Sequence, residues 1–320
     1  MATVGATVQA SDPLPRRVRA YFAERFPLLA HGILILSYYS SNQFLAQVLA
    51  HPDRPIHYGP HSLMGGLAVF CVFLHLRVFD EHKDYAEDCV HHPDRLLSRG
   101  VITLRELRIL GAAAIACELL MATLRGPAAV VGTLLVLGFS LLMLREFFVA
   151  EWLKRHFLLY TLSHMLIMPL LALMVYSFTT KRLPWTAPPL FVLYAFVGFF
   201  VTLNWEISRK IRAPQDERQG LDSYSKIFGP MGAAAMVLAV RVIDTGMVAV
   251  VGWHLGLSVW FYGVLAALFL VCLTGFVQFR AHPSAKTAKR LESYAGFYIV
   301  AFDITLAVEI LRTHPVVWWG

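Results

Sequence analysis

Long apolar runs alternate with short charged ones along almost the whole chain. Stretches of roughly 20 residues, rich in Leu, Val, Ala, Phe and Ile, recur at 27–50, 60–79, 104–124, 127–148, 157–178, 187–207, 229–250, 255–279 and 293–313. An α-helix of about 20 residues crosses the ~30 Å hydrocarbon core of a bilayer. The pattern therefore predicts nine transmembrane helices. The first run carries a polar patch, Tyr38-Tyr39-Ser40-Ser41-Asn42-Gln43. Groups of that kind at membrane depth face the protein interior or a cavity, not lipid. In the seventh run Arg241 and Asp244 either pair one turn apart or mark a shorter helix. Arg16 to Phe26 reads as an amphipathic segment lying on the membrane surface. Residues 1–26 lack an apolar core before a cleavage site and are not a signal peptide.

Composition agrees with a polytopic membrane protein. Of 320 residues, 57% are hydrophobic and 15% charged, and the mean hydropathy is +0.58. A soluble domain of this length carries far more charge. The net charge of +7 suggests nucleic acid until the basic residues are placed. With the N-terminus inside, 22 of the 28 Lys and Arg fall in inner segments, and Arg54, Arg125, Lys181, Arg182 and Arg312 in outer ones. That is the positive-inside bias, not a nucleic-acid footprint. It places the N-terminus in the cytoplasm and the C-terminus on the opposite side. Cys71, Cys89, Cys117 and Cys272 form no framework. No linker interrupts the runs, so residues 1–320 read as a single transmembrane domain, all-α, its helices surrounding a cavity.

The candidate chemistry begins where the second run ends, in RVFDEHKDYAED, Arg77 to Asp88. If the helix continues, Asp80, Asp84 and Asp88 step by four along one face, with Glu81 beside them. Stacked carboxylates repel, by roughly 0.2–0.5 kcal/mol per exposed pair. Arg77 and Lys83 offset part of this, and a divalent metal offsets more. Oxygen-only ligands suit Mg²⁺. A second cluster follows the sixth run, in NWEISRKIRAPQDERQGLDSYSKIFG, Asn204 to Gly229. It holds Glu206, Asp216, Glu217 and Asp222 interleaved with Arg209, Lys210, Arg212, Arg218 and Lys226. Such a mixture cradles a phosphate-bearing ligand: carboxylates hold Mg²⁺, the metal bridges phosphate oxygens, and Arg and Lys take the remaining charge. Both clusters fall on the inner face, four runs apart, as if two four-helix units each carried an acidic loop after their second helix.

On these residues the chain resembles the UbiA superfamily of intramembrane prenyltransferases, which has nine spans and aspartate motifs after helices 2 and 6. The family's first motif, N-D-x-x-D-x-x-x-D, aligns Asp80 with its Asn and Glu81, Asp84 and Asp88 with its aspartates. Arg95, Gly100 and Ile102 resemble the tail that follows. In the second motif, D-x-x-x-D-x-x-x-G, Asp216 and Gly220 match, Arg212 stands at the first aspartate, and Glu206 or Glu217 would supply the missing carboxylate. The family's Y-x-x-x-K before helix 5 keeps Lys154 but has Ala150 for the tyrosine.

The resemblance implies Mg²⁺-assisted ionisation of an isoprenyl diphosphate. Glu81, Asp84, Asp88, Glu206 and Asp216 would be the metal ligands, with Asp80 and Glu217 beside them. Arg77, Lys83, Arg95, Lys154, Arg209, Lys210, Arg212, Arg218 and Lys226 would hold the diphosphate. The tail would lie among the helices, in a cavity that Tyr38, Tyr39, Asn42, Tyr160 and Trp205 line. The prenyl group would pass to a lipophilic, aromatic acceptor such as a quinone precursor. Two other readings stay open: a terpene cyclase of the same superfamily, which needs no acceptor, and a nine-span permease whose carboxylates bind transported cations. Against the permease, the acids cluster at the inner membrane edge and not at the midplane.

Overall fold

A computed structural model describes residues 8–217 and 222–319. It is helical almost throughout. Eight described helices are long and apolar enough to cross a membrane: α3 (Pro60–Lys83), α5 (Leu104–Arg125), α6 (Pro127–Leu144), the α8–α9 pair (Phe157–Met165 and Ile167–Thr180), α10 (Pro189–Arg209), α11 (Tyr224–His254), α12 (Val259–Ala281) and α13 (Ala285–Thr313). α2 (Leu28–Ala50) occupies the first expected span and has the length. Its polar patch makes it less apolar than the other eight. Three short helices lie outside the spans: α1 (Leu14–Arg25), α4 (Tyr85–His91) and α7 (Ala150–Arg155).

The long helices pack in a closed ring, α2-α3-α5-α6-α9-α10-α11-α12-α13, with α13 back against α2. The pairs α3·α5 and α10·α11 occupy corresponding places in the two halves. The short strand β1 (Ile56–Tyr58), after α2, pairs in parallel with β2 (Val316–Trp318), after α13, so the C-terminal segment lies at the α2–α3 loop end of the ring. Leu29, Ile109, Leu124, Val259 and Leu270 are exposed around the circumference, which is where lipid would cover them.

The departures from the sequence pattern have local causes. The fifth run is two helices, because Pro169 has no N–H for the carbonyl of Met165 and the helix breaks at Leu166. The fourth run stops at Leu144, short of 148. There Glu146, Phe147 and Phe148 take successive positive φ angles of 46°, 53° and 61°, a turn that no glycine announces. α11 starts at Tyr224, capped by Ser223, and kinks at Gly229, whose φ of 72° precedes Pro230. Arg241 and Asp244 do pair, at 3.0 Å, and Arg241 also stacks on Tyr298 and bonds Asn204 at 2.7 Å. α1 spends its apolar face on protein. Ala20 and Tyr21 are buried with Val78, Leu97, Ile102 and Leu107, and Arg17 grips Glu106 at 2.7 Å.

Candidate active site

The two charged loops meet at one end of the ring, and α8 stands between them. Phe157, Tyr160, Thr161 and His164 share one face of α8 by their spacing of three and four. Lys83, from the end of α3, donates to Tyr160 Oη at 2.8 Å. Lys210, from the end of α10, lies over the Phe157 ring at 5.1 Å. Tyr224 of α11 donates to Thr161 at 2.7 Å. Arg209 is within electrostatic reach of Asp80. Residues more than a hundred positions apart thus share one rim.

On the α3 side the helix does not run on through the acidic stretch. It breaks at Asp84, which caps α3 and starts α4, although Asp84 N–H still reaches the Asp80 carbonyl and Asp88 N–H the Asp84 carbonyl. Asp80, Asp84 and Asp88 therefore do not form one straight stripe. Glu81 is 1% exposed, and its Oε1 accepts from Arg25 at 2.7 Å and Arg77 at 2.6 Å. Asp88 pairs with Arg95 and lies 3.7 Å from Arg25. Asp80 is 49% exposed and 3.7 Å from Lys83. Asp84 has no ion pair among the described residues. Its pKa is pushed from 3.8 up to about 6, by burial first and then by the carboxylates of Asp80, Asp88 and Glu87, against the pull of Lys83.

On the α10 side Glu206 is buried and paired with Arg209 at 2.5 Å and Lys210 at 2.9 Å. Glu217 accepts from Ser223 and Ser225 at 2.7–2.8 Å, which closes the loop on itself. Arg212 donates its backbone N–H to Ser225 at 2.8 Å. Asp216 is exposed on a single helical turn, Pro214–Asp216. Lys226 reaches Asp222 at 3.9 Å. Lys154 is exposed and lines a separate groove with Arg155, Phe157 and Asp222. Arg218 and Gly220 lie outside the described residues.

Behind the rim lies a nearly all-apolar cavity of about 90 Å³. Tyr38, Asn42 and Trp205 line it as expected, with Phe73, Phe302 and Asp303. Tyr160 does not; it stays at the rim. Tyr39 points elsewhere, into a polar pocket at the opposite end with Gln43, His57 and Arg125. It packs so tightly on α3 that a Cβ at Gly65 would come within 2.3 Å of its hydroxyl. His164 is a hydrogen-bonded core residue, its Nδ1 2.8 Å from the Tyr160 carbonyl. The sequence reading missed Arg25, which lies 56 residues from its partner Glu81. Asp303 also went unassigned, although an acid with no basic residue within a turn of it in an apolar span is a signal.

Oxygen donors crowd this rim, and a divalent cation would offset the burial and the carboxylate repulsion that together disfavour charge on Asp84. Among the described residues no three His, Cys, Asp or Glu side chains converge into a ready-made metal site. That is compatible with Mg²⁺, which is commonly held by one or two carboxylates plus water and substrate phosphate.

A ring of membrane-length helices with a charged rim over an apolar cavity defines a class: polytopic membrane proteins that offer a polar and an apolar surface side by side. The model of the UbiA prenyltransferase family matches residues 44–299, and the chain belongs to that family. It is an integral membrane enzyme of the UbiA kind. Three solved structures share the fold. A UbiA homologue from Aeropyrum pernix K1 superposes with a TM-score of 0.64 at 18% identity, covering 88% of this chain and 98% of its own. Digeranylgeranylglyceryl phosphate synthase gives 0.59 at 15%, covering 89% and 99%. A UbiA homologue from Archaeoglobus fulgidus bound to DMAPP and Mg²⁺ gives 0.56 at 14%, covering 90% and 99%. No curated protein matches the chain by sequence alone.

Proposed function

We propose that this protein ionises an isoprenyl diphosphate with the help of Mg²⁺ and transfers the prenyl group to a lipophilic acceptor. The observation that carries the reading is the meeting of two acid-and-base loops on α8, above an aromatic cavity. The 22 inner Lys and Arg support a cytoplasmic N-terminus and site, a ninth crossing by α2, and a C-terminus on the opposite side. The bound DMAPP and Mg²⁺ of the Archaeoglobus homologue support the substrate class.

Each group then has a task. Lys83, held by Tyr160, faces the diphosphate from the α3 side, and Arg209 and Lys210 face it from the α10 side. Arg77 and Arg95 turn from Glu81 and Asp88 to phosphate oxygens when substrate binds, as do Arg209 and Lys210 from Glu206. These carboxylates, Glu81 and Asp88 still held in place by Arg25, would with Asp80, Asp84 and Asp216 hold Mg²⁺. Bound there, the metal would supply positive charge against the anion that develops on the departing pyrophosphate. The tail lies against Phe73, Trp205 and Phe302. Each well-placed aromatic face offers a passing carbocation about 0.5–2 kcal/mol, and the apolar wall keeps water from capturing it.

The test is turnover. Purified protein is incubated with geranyl, farnesyl and geranylgeranyl diphosphates and Mg²⁺, with and without phenolic acceptors. Pyrophosphate release that requires both Mg²⁺ and acceptor is expected. A cyclised hydrocarbon or alcohol formed without acceptor would replace transfer by cyclisation. No release under any condition would remove prenyl chemistry altogether.

A further inference from the structure

The deep end of the central cavity carries side-chain oxygens that no donor reaches. Asp303 of α13 is 1% exposed, sits within a membrane span and pairs with no Lys or Arg among the described residues. Its Oδ1 accepts from Ser41 at 2.5 Å and from Tyr194 at 3.0 Å. No hydrogen bond from the described residues reaches Oδ2. Beside it on the cavity wall, buried Asn42 donates Nδ2 to the Tyr38 carbonyl at 2.9 Å, and its Oδ1 has no partner. The Tyr38 hydroxyl is also engaged, on the Met168 carbonyl at 3.1 Å. The Ser41, Tyr194 and Tyr38 hydroxyls are all engaged with protein. Two side-chain oxygens are left without a donor among the described residues, Asp303 Oδ2 and Asn42 Oδ1.

Acceptor oxygens buried in apolar surroundings are costly unless a donor reaches them. An intramembrane carboxyl that serves no ion pair marks a functional site by default. The diphosphate does not serve it, being an acceptor itself and held at the rim. Trp205, one residue before Glu206, lies against Gly296 of α13. Asp303 is seven residues further, about 10 Å along the helix. The hydrocarbon end of a prenyl tail has no donor to offer.

We infer that Asp303 and Asn42 form the receptor for the hydroxyl of the lipophilic acceptor, an alcohol or phenol. Its O–H donates into this pair while its apolar body lies beside the prenyl tail toward the rim. The role of the bound molecule rests on the prenyl-transfer reading; its binding does not. Two open acceptor oxygens side by side select an O–H over the corresponding ether. Ser41 and Tyr194 act as positioning residues, since they fix the carboxyl so that Oδ2 faces the ligand.

The experiment is binding without any diphosphate. The full-length protein in lipid nanodiscs is titrated with 4-nonylphenol and with its methyl ether, 4-nonylanisole, by calorimetry. Wild type should bind the phenol at least about tenfold more tightly, the effect of one hydrogen bond to a buried acceptor. Asp303→Asn, which presents an N–H in place of Oδ2, and Asn42→Leu should each remove most of that preference and leave ether binding unchanged. Equal affinity of wild type for the two compounds would overturn the inference, as would a preference that survives in both variants. Should Asp303→Asn fail to fold, Asn42→Leu decides alone. A phenol preference without turnover in the assay above would sink prenyl transfer and not this receptor.

Discussion

Lys83 and Tyr160 are 77 residues apart in the chain, and the Lys83 ammonium donates to the Tyr160 hydroxyl at 2.8 Å. This contact fixes the end of α3 against α8 and holds a cation over the rim. Lys83→Met should lower pyrophosphate release about a hundredfold, the usual effect of removing one charged donor from a developing anion. Tyr160→Phe keeps the ring and loses only the hydrogen bond, so its effect should be smaller, about threefold to tenfold. Steady-state kinetics on the two variants check the order. Equal losses would make Tyr160 more than a support for the lysine.

Arg25 reaches from α1 to Glu81 and Asp88, so the N-terminal helix is tied to the first acidic loop. Arg25→Gln should destabilise the protein by roughly 1.5–3 kcal/mol, the contribution of a hydrogen bond to a charged group. It should also expose α1 to protease first. Thermal unfolding and limited proteolysis in detergent measure both.

Asp84 titrates near pH 6 because burial and neighbouring carboxylates disfavour its charge. A carboxyl whose folded pKa is raised stabilises the protein fully below its ordinary pKa, and the contribution disappears as pH rises through 6. Asp84→Asn should therefore raise the melting temperature of the metal-free protein at pH 7.5 and gain little at pH 4. Mg²⁺ should raise the wild-type melting temperature at pH 7.5 more than at pH 5, where protons compete for the site. Scans at these pH values with and without Mg²⁺ decide it. An Asp84→Asn protein less stable than wild type at pH 7.5 would contradict the account.

His75 lies between Glu118 and Ser140, 3.1 Å from each, and the imidazole and the carboxyl are fully buried. These residues tie α3, α5 and α6 together and do not line the central cavity. Glu118→Ala should cost about 1–3 kcal/mol, as for a buried hydrogen-bonding group left without its partner. Activity per folded molecule should be unchanged. Activity lost in proportion to more than the folded fraction would give this cluster a catalytic part.

The spans were legible because lipid imposes a long apolar run and a basic inner loop on every sequence that crosses it. Glu206 and the acids around Asp84 were legible for the complementary reason, since charge at a span end is conspicuous. What stayed hidden depends on contacts between distant residues. Nothing near Glu81 announces Arg25, and nothing in the run to Phe148 announces three left-handed residues. The break at Asp84 has no proline or glycine to mark it. Tyr38 and Tyr39 are neighbours with the same side-chain chemistry; only the packing of α2 on α3 turns one to the cavity and the other to the far pocket.

The most direct measurement is a double-mutant cycle on Asp84 and Asp216, one from each loop. Binding of farnesyl thiolodiphosphate with Mg²⁺ is followed in wild type, Asp84→Asn, Asp216→Asn and the double variant. If both loops grip one metal-bound diphosphate, each single change weakens binding at least about tenfold, and the double variant is little worse than either. Effects that add as independent terms, or a silent Asp216→Asn, would mean that the two loops do not share a ligand.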